Sequence, residues 1–180
     1  MIDAAWFEAF VREYQDMVFA TAVRLLGRSA DAEDIAQSVF LKAFQRFDEL
    51  GASPTAGGWL KVVTTNLCLN HLSRYRSRWR LFSEMDGRDD DTGTSYEATL
   101  ASPQSHGADL ELAGEQARLE RALRALPDHQ RVPLVLFHFE EKSYQEIAAL
   151  LGRSLAKVKT DIHRGREALR SRLEARHGLR

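Results

Sequence analysis

Cysteine is almost absent from these 180 residues: Cys68 stands alone. One thiol excludes an internal disulfide framework and any all-cysteine zinc site, and it suits a reducing cytosol. No apolar run reaches the ~18–20 residues that span a bilayer, so no direct membrane insertion is expected. The opening residues Met1 to Trp6 lack the basic start and apolar stretch of a secretion signal, which adds to the expectation of a cytoplasmic protein. No strand pattern is long enough to build a sheet, and no internal repeat is visible. A catalytic set is missing as well. There is no glycine-rich phosphate loop and no HExxH. Cys68 and His71 share one helix without further ligands at metal spacing, and His129, His138 and His163 are scattered. An enzyme, a bound metal and a cofactor are therefore not expected. Cys68 is read as a small buried residue. What is present is an ordinary soluble composition, 44% hydrophobic and 28% charged, which excludes global disorder.

The net charge of -1 hides a strong asymmetry. Residues 1–60 carry 9 acids and 5 bases, net -4. Residues 61–80 hold Lys61, Arg74, Arg76, Arg78 and Arg80 with no acid, net +5. Residues 81–116 carry 9 acids against Arg88, net -8, and residues 117–180 carry 14 bases and 8 acids, net +6. Two basic zones thus flank an acidic connector. Basic zones attract phosphate backbones through counterion release, although each alone is also compatible with a solvated helix face.

Helical periodicity dominates both ends. Trp6, Phe7, Phe10, Tyr14, Met17 and Val18 recur at three- and four-residue steps, continuing through Ala22, Leu25 and Leu26 to a stop at Gly27. Ser29 or Asp31 can cap a second helix with Ile35, Val39, Phe40, Ala43, Phe44 and Phe47 as apolar positions. After a Pro- and Gly-containing loop, a third helix is predicted from about Trp59 to Arg80, with Leu60, Val63, Leu67 and Leu72 inward. The pattern then breaks over an acidic, turn-rich stretch, Asp89-Asp90-Asp91-Thr92-Gly93-Thr94-Ser95, which reads as a flexible linker. It returns at about Glu115. Pro127 interrupts it, and Pro133 is expected in the first turn of the next helix. The expected fold is all-α: a helical domain over 1–81, an acidic linker over 82–114, and a second small helical domain over 115–180.

The sharpest local signal runs from Ser143 to Ile162. Ser143 and Glu146 make a capping box, so a helix begins there. Gly152 permits the left-handed backbone of a tight turn, and Ser154 caps the helix that follows. Leu155, Val158 and Ile162 are expected to point that helix into the core. Two helices joined by so short a turn form the helix-turn-helix that sends its second helix into the major groove. The other face of that helix carries Lys157, Lys159, Thr160, His163 and Arg164, with Arg166, Arg170 and Arg172 beyond. Lysine and arginine can contact phosphates or the guanine edge, and threonine either base type. Asp161 is discordant there. It either accepts from a cytosine amino group or pairs with a neighbouring arginine.

These residues resemble the extracytoplasmic-function group of bacterial RNA polymerase sigma factors, over nearly the whole chain except the linker. The stretch Asp31-Ala32-Glu33-Asp34-Ile35-Ala36-Gln37-Ser38-Val39-Phe40-Leu41-Lys42-Ala43-Phe44 resembles the family's region 2.2. Trp59-Leu60-Lys61 through Asn66, Asn70 and Arg74 resembles regions 2.3 and 2.4. Leu126-Pro127-Asp128-His129-Gln130-Arg131 and the helix-turn-helix resemble region 4.

The resemblance implies partners and roles. Asp34, Gln37 and Phe40 would dock on core RNA polymerase, with Ser38 standing where glutamate is common; a solvated acidic face is the competing account of that helix. Lys61, Asn66, Asn70, Arg74, Arg76 and Arg78 would face the -10 element of promoter DNA, Asn offering donor and acceptor to a captured base while arginines hold the backbone. Trp59 belongs either to this face or to the core. Lys159, Thr160 and Arg164, with Lys157 and His163 beside them, would read the -35 element. The linker would thread the polymerase as a nucleic-acid mimic or serve as a passive tether. An anti-sigma factor is implied as a further partner. The competing class is a helix-turn-helix DNA-binding regulator whose helical first half senses or dimerises.

Overall fold

Asp3 opens the first helix by accepting from the Ala5 amide at 3.0 Å, and in the computed structural model, which describes residues 3–85 and 110–175 and the side chains of 3–75 and 114–175, every regular element is helical. α1 (Ala4–Leu26) ends where the sequence predicts, at Gly27, whose φ of 73° lets its amide reach the Val23 carbonyl at 2.8 Å. α2 (Ser29–Gln45) starts at Ser29 itself. The preceding position is Arg28, with no side-chain cap, so neither Ser29 nor Asp31 acts as the cap predicted for them. Asp31 serves otherwise: its carboxylate lies 3.8 Å from Arg28 and 3.7 Å from His71, tying α2 to α4. A single turn, α3 (Phe47–Leu50), precedes α4 (Ala56–Met85).

Phe47 is the hub of the first unit. Buried at the start of α3, it receives the edges or faces of Trp6, Phe7 and Phe10 at centroid distances of 4.8, 5.0 and 5.3 Å. Such tilted pairs are the favourable geometry for aromatic quadrupoles. Gly51 belongs to this cluster by necessity, since a Cβ there would stand 2.8 Å from the Trp6 ring. Val18, Ala22, Leu25, Val39, Ala43, Leu60 and Cys68 complete the core. Phe44 departs from expectation. It was assigned inward by spacing, yet it is 43% exposed and touches only the rim of the cluster through Phe7.

The two central helices of the predicted scheme extend beyond their forecast limits. α4 runs past Arg80 to Met85, and α5 (Leu110–Arg124) begins before Glu115. The remainder of the expected linker, 86–109, lies outside the described residues. The described chain falls into two compact units on either side of it.

In the second unit Pro127 takes the position before α6 (Asp128–His138). Pro133 therefore sits inside this helix, past its first turn, where the sequence reading did not put it. A proline at that place has no amide to give the carbonyl four residues back, that of His129. Arg153 donates to that carbonyl from outside the helix at 3.3 Å. Arg131, only 4% exposed, closes the α5–α6 corner by donating to the Leu126 carbonyl at 2.9 Å and pairing with Asp128 at 2.6 Å. α7 (Tyr144–Leu151) carries the full capping box of Ser143 and Glu146. Gly152 ends it at φ 61°, and Ser154 caps α8 (Leu155–Glu174) through the Lys157 amide at 3.2 Å. Leu123, Val135, Leu136, Ile147, Val158 and Ile162 form the core. Leu155 does not join them; it begins α8 at 36% exposure. Gly165 allows α8 to cross α6 closely, for its Cβ would meet the Gln130 carbonyl oxygen at 3.2 Å.

Candidate nucleic-acid and protein interfaces

The second unit presents a cationic face on α8. Lys159, Thr160, His163 and Arg164 are exposed on α8 at three- and four-residue spacing, so they form one stripe. Thr160 returns its hydroxyl proton to the Ala156 carbonyl at 3.0 Å, leaving the oxygen outward. The Lys159 ammonium lies 5.9 Å from the Tyr144 ring centroid, and Tyr144 stacks in turn on Phe137 at 4.7 Å. That two-ring stack joins α6 to α7 under the base of the stripe. Tyr144 was not singled out in the sequence; its place one residue after the capping serine was the available cue.

Several other charges of α8 are engaged within the unit. Lys157 holds the Asp161 carboxylate at 2.7 Å, and Arg153 holds its other oxygen at 3.0 Å. Asp161 has no exposed surface, so pairing rather than base contact explains it. Arg166 donates from Nε to His138 Nε2 at 3.0 Å and lies over Phe137 at 5.3 Å. Partial burial, and then the charge of Arg166, push the His138 pKa below its usual 6.5. Arg172 donates to the Ala125 carbonyl at 3.2 Å and Arg118 to the Leu173 carbonyl at 3.1 Å, pinning α5 to the end of α8. Arg170 pairs with Glu167.

The first unit offers two faces. Asn66, Asn70 and Arg74 are exposed along one stripe of α4. Lys61 is not part of it: it is half-buried, and Thr64, Thr65 and Cys68, which share its side of the helix, are buried. The side chains of Arg76 and Arg78 lie outside the described residues. Beside Asn66 an open groove of about 380 Å³ runs between α2 and α4, lined by Lys42, Arg46, Trp59 and Val63 among others. Arg46 lies 5.8 Å from the centre of the Trp59 ring and is held there by Glu49 at 2.6 Å. Trp59 is thus a half-buried wall, between the two roles proposed for it. Lys42 and Arg46 were overlooked; as the two bases of that stretch, four residues apart, they were legible as one basic edge.

The second face lies on α2. Asp34 and Gln37 are exposed and Phe40 is half-buried. The Ser38 hydroxyl donates to the Asp34 carbonyl at 2.9 Å, keeping it within its own helix. Leu41 follows Asp34 and Gln37 on their stripe and is 62% exposed; Phe44 comes next at 43%. An acid, an amide and two uncovered apolar side chains in line suit a protein partner better than water. Among the described residues no group of three or more His, Cys, Asp or Glu side chains is placed to hold a metal ion. No helix among them is long and apolar enough to cross a membrane.

Comparison with known proteins agrees with both units. Residues 10–79 match the Sigma-70 region 2 family and residues 116–169 match Sigma-70, region 4. The ECF RNA polymerase sigma factor SigW of Bacillus subtilis is 32% identical over 170 residues, 93% of this chain and 88% of that one. The ECF RNA polymerase sigma factor SigE of Mycolicibacterium smegmatis is 36% identical over 96% of this chain and 63% of its own. A solved structure of the sigma factor RpoE in complex with the anti-sigma factor NepR, from Bartonella quintana, shares the fold. Its TM-score is 0.52 at 23% identity, covering 93% of this chain and 96% of that one. A regulator with a sensing or dimerising first half does not fit a first half that matches region 2. With region 2 in one unit, region 4 in the other and a relative of nearly equal extent, this chain belongs to the extracytoplasmic-function group of the sigma-70 family.

Proposed function

We propose that this protein is a promoter-specificity subunit, which binds core RNA polymerase and directs transcription initiation through two separated DNA contacts. The observation that carries the reading is the exposed stripe of Lys159, Thr160, His163 and Arg164 on the second helix of a fully capped helix-turn-helix. Placed in the major groove, Arg164 reads a guanine edge, Thr160 a neighbouring base, and Lys159 and His163 hold phosphates of the -35 element. Lys157 lies on the same helix, but its ammonium is held by Asp161.

Asn66, Asn70 and Arg74 face the -10 element, with Arg76 and Arg78 continuing the same helix. The groove beside Asn66 gives an unstacked base an aromatic wall at Trp59 and cations at Lys42 and Arg46. Asp34, Gln37 and Phe40, extended by Leu41 and Phe44, dock on polymerase. Each DNA contact alone is small and weak. Held on one polymerase, each raises the effective concentration of the other at its element. Work in the cytoplasm without catalysis of its own follows from that role. The relative crystallised with an anti-sigma factor supports a similar inhibitory partner for this chain.

The test is gel filtration with core polymerase, followed by transcription from a genomic fragment library. Co-elution and start sites sharing two spaced elements are expected. A chain that elutes apart from polymerase, or that shifts DNA equally well without it, contradicts the proposal.

A further inference from the structure

The buried carboxylate on the DNA-reading helix has a use of its own. Asp161 directly follows Thr160 in the chain, yet it is fully enclosed beneath α8. A buried carboxylate demands counter-charge and hydrogen bonds. It receives both from two cations, Lys157 Nζ on Oδ1 at 2.7 Å and Arg153 Nη1 on Oδ2 at 3.0 Å. Arg153 is at the same time committed to the His129 carbonyl, to which Pro133 has no amide to offer.

We infer that Asp161 is a positioning residue for DNA recognition: it withholds Lys157 from the DNA backbone and, through Arg153, fixes the turn against α6. The inference rests on the -35 reading above. Lys157 lies in the first turn of α8, the end of a recognition helix that meets DNA, and its side chain is 51% exposed. Moving its ammonium away to a phosphate would break the 2.7 Å bond to Oδ1 and leave the buried carboxylate with Arg153 alone. The carboxylate thus competes with the phosphate for Lys157. The cationic stripe begins at Lys159, and one lysine that the sequence counts as a DNA contact is internal in effect.

The experiment is a salt-dependence cycle on the full chain assembled with core polymerase. The probe is the strongest fragment selected in the transcription experiment, beside a version with its -35 element scrambled. Wild type, Lys157→Ala, Asp161→Asn and the double variant are compared. Lys157→Ala is expected to keep the wild-type slope of log affinity against log salt. Asp161→Asn releases Lys157 and steepens the slope by about 0.9. Raising salt fourfold then weakens this variant about 3.5-fold more than wild type. The double variant returns to the wild-type slope.

A shallower slope for Lys157→Ala alone overturns the inference, as does an unchanged slope for a folded Asp161→Asn. Should Asp161→Asn not fold, reductive methylation of the wild-type complex decides. DNA then protects Lys159 while the slow reaction of Lys157 stays as it was; new protection of Lys157 by DNA rejects the idea. Failure of the -35 reading itself looks different, because wild type would bind the scrambled fragment equally well.

Discussion

Arg153 and Asp161 meet at 3.0 Å across the turn between α7 and α8, the arginine side chain 16% exposed and the carboxylate not at all. Arg153→Ala removes one of the two counter-charges of that buried group, Lys157 remaining, and with it the bond to the His129 carbonyl. Loss of a hydrogen-bond partner by a buried charged group costs about 1–3 kcal/mol. Urea unfolding followed by circular dichroism should show a loss of that order. A loss below about 1 kcal/mol, the scale of exposed pairs, would place the carboxylate in water instead.

Arg164→Ala leaves the fold untouched, since its side chain is exposed and, among the described residues, its guanidinium has no hydrogen-bond or ion-pair partner. Promoter affinity of the assembled polymerase should fall by about 1–3 kcal/mol, the scale of a bidentate base contact. Affinity for polymerase itself should stay the same. Equal weakening on cognate and scrambled -35 fragments would reassign Arg164 to phosphate.

Leu41 is 62% exposed in line with Asp34 and Gln37. Leu41→Glu costs little stability at so open a site. At an interface centre it buries a charge, and a loss of about 2 kcal/mol, roughly thirtyfold in affinity for core polymerase, is expected. Titration of labelled protein with polymerase measures it. Retained affinity would move the docking surface off this stripe.

His138 accepts from Arg166 with an unprotonated nitrogen, and its pKa in the fold lies below 6.5. As pH falls through 6.5 the unfolded chain takes up its proton first. The contribution to stability is complete above that value and declines as pH drops toward the lower folded pKa. Urea midpoints should therefore fall between about pH 7 and about pH 5.5, and fall less for His138→Gln. Identical pH profiles for the two proteins would remove His138 from the account.

Gly165→Ala sets two effects against each other. Alanine gains about 1 kcal/mol in helix propensity. Its Cβ meets the Gln130 carbonyl oxygen at 3.2 Å, and a backbone atom cannot rotate aside. Overpacking of that kind costs about 1–3 kcal/mol, so a net loss of about 1 kcal/mol is expected in thermal unfolding. A stabilised variant would show that α6 and α8 separate easily.

The helices and the turn chemistry were legible because they depend on near neighbours. Gly27, Gly152, Ser143 with Glu146, and Ser154 each act over at most four residues, and all do what their types predict. Apart from the start of α2, where Arg28 rather than Ser29 or Asp31 precedes the helix, the errors fall where a residue's surroundings come from distant chain. Periodicity counts Phe44 and Leu155 among the apolar positions, but Phe44 is 43% exposed at the rim beside Phe7 and Leu155 is 36% exposed at the start of α8. Pro133 read as a helix start because nothing nearby announced that Arg153 would donate to the His129 carbonyl. Charge counting had the same weakness. It could not separate Arg164, facing outward, from Arg166 and Arg172, which serve His138 and the Ala125 carbonyl. The proposed docking stripe is legible at Asp34 and Gln37, whereas Leu41 is not, because an exposed leucine looks like a core leucine until the packing is known.

Pro133 turns an interruption into a socket. With no amide hydrogen of its own, it gives the His129 carbonyl nothing from position 133, and the arginine that docks on that oxygen from the corner opposite brings its acidic companion along. The last helix of the second unit is thus fastened to α6 beside a hydrogen that proline never had.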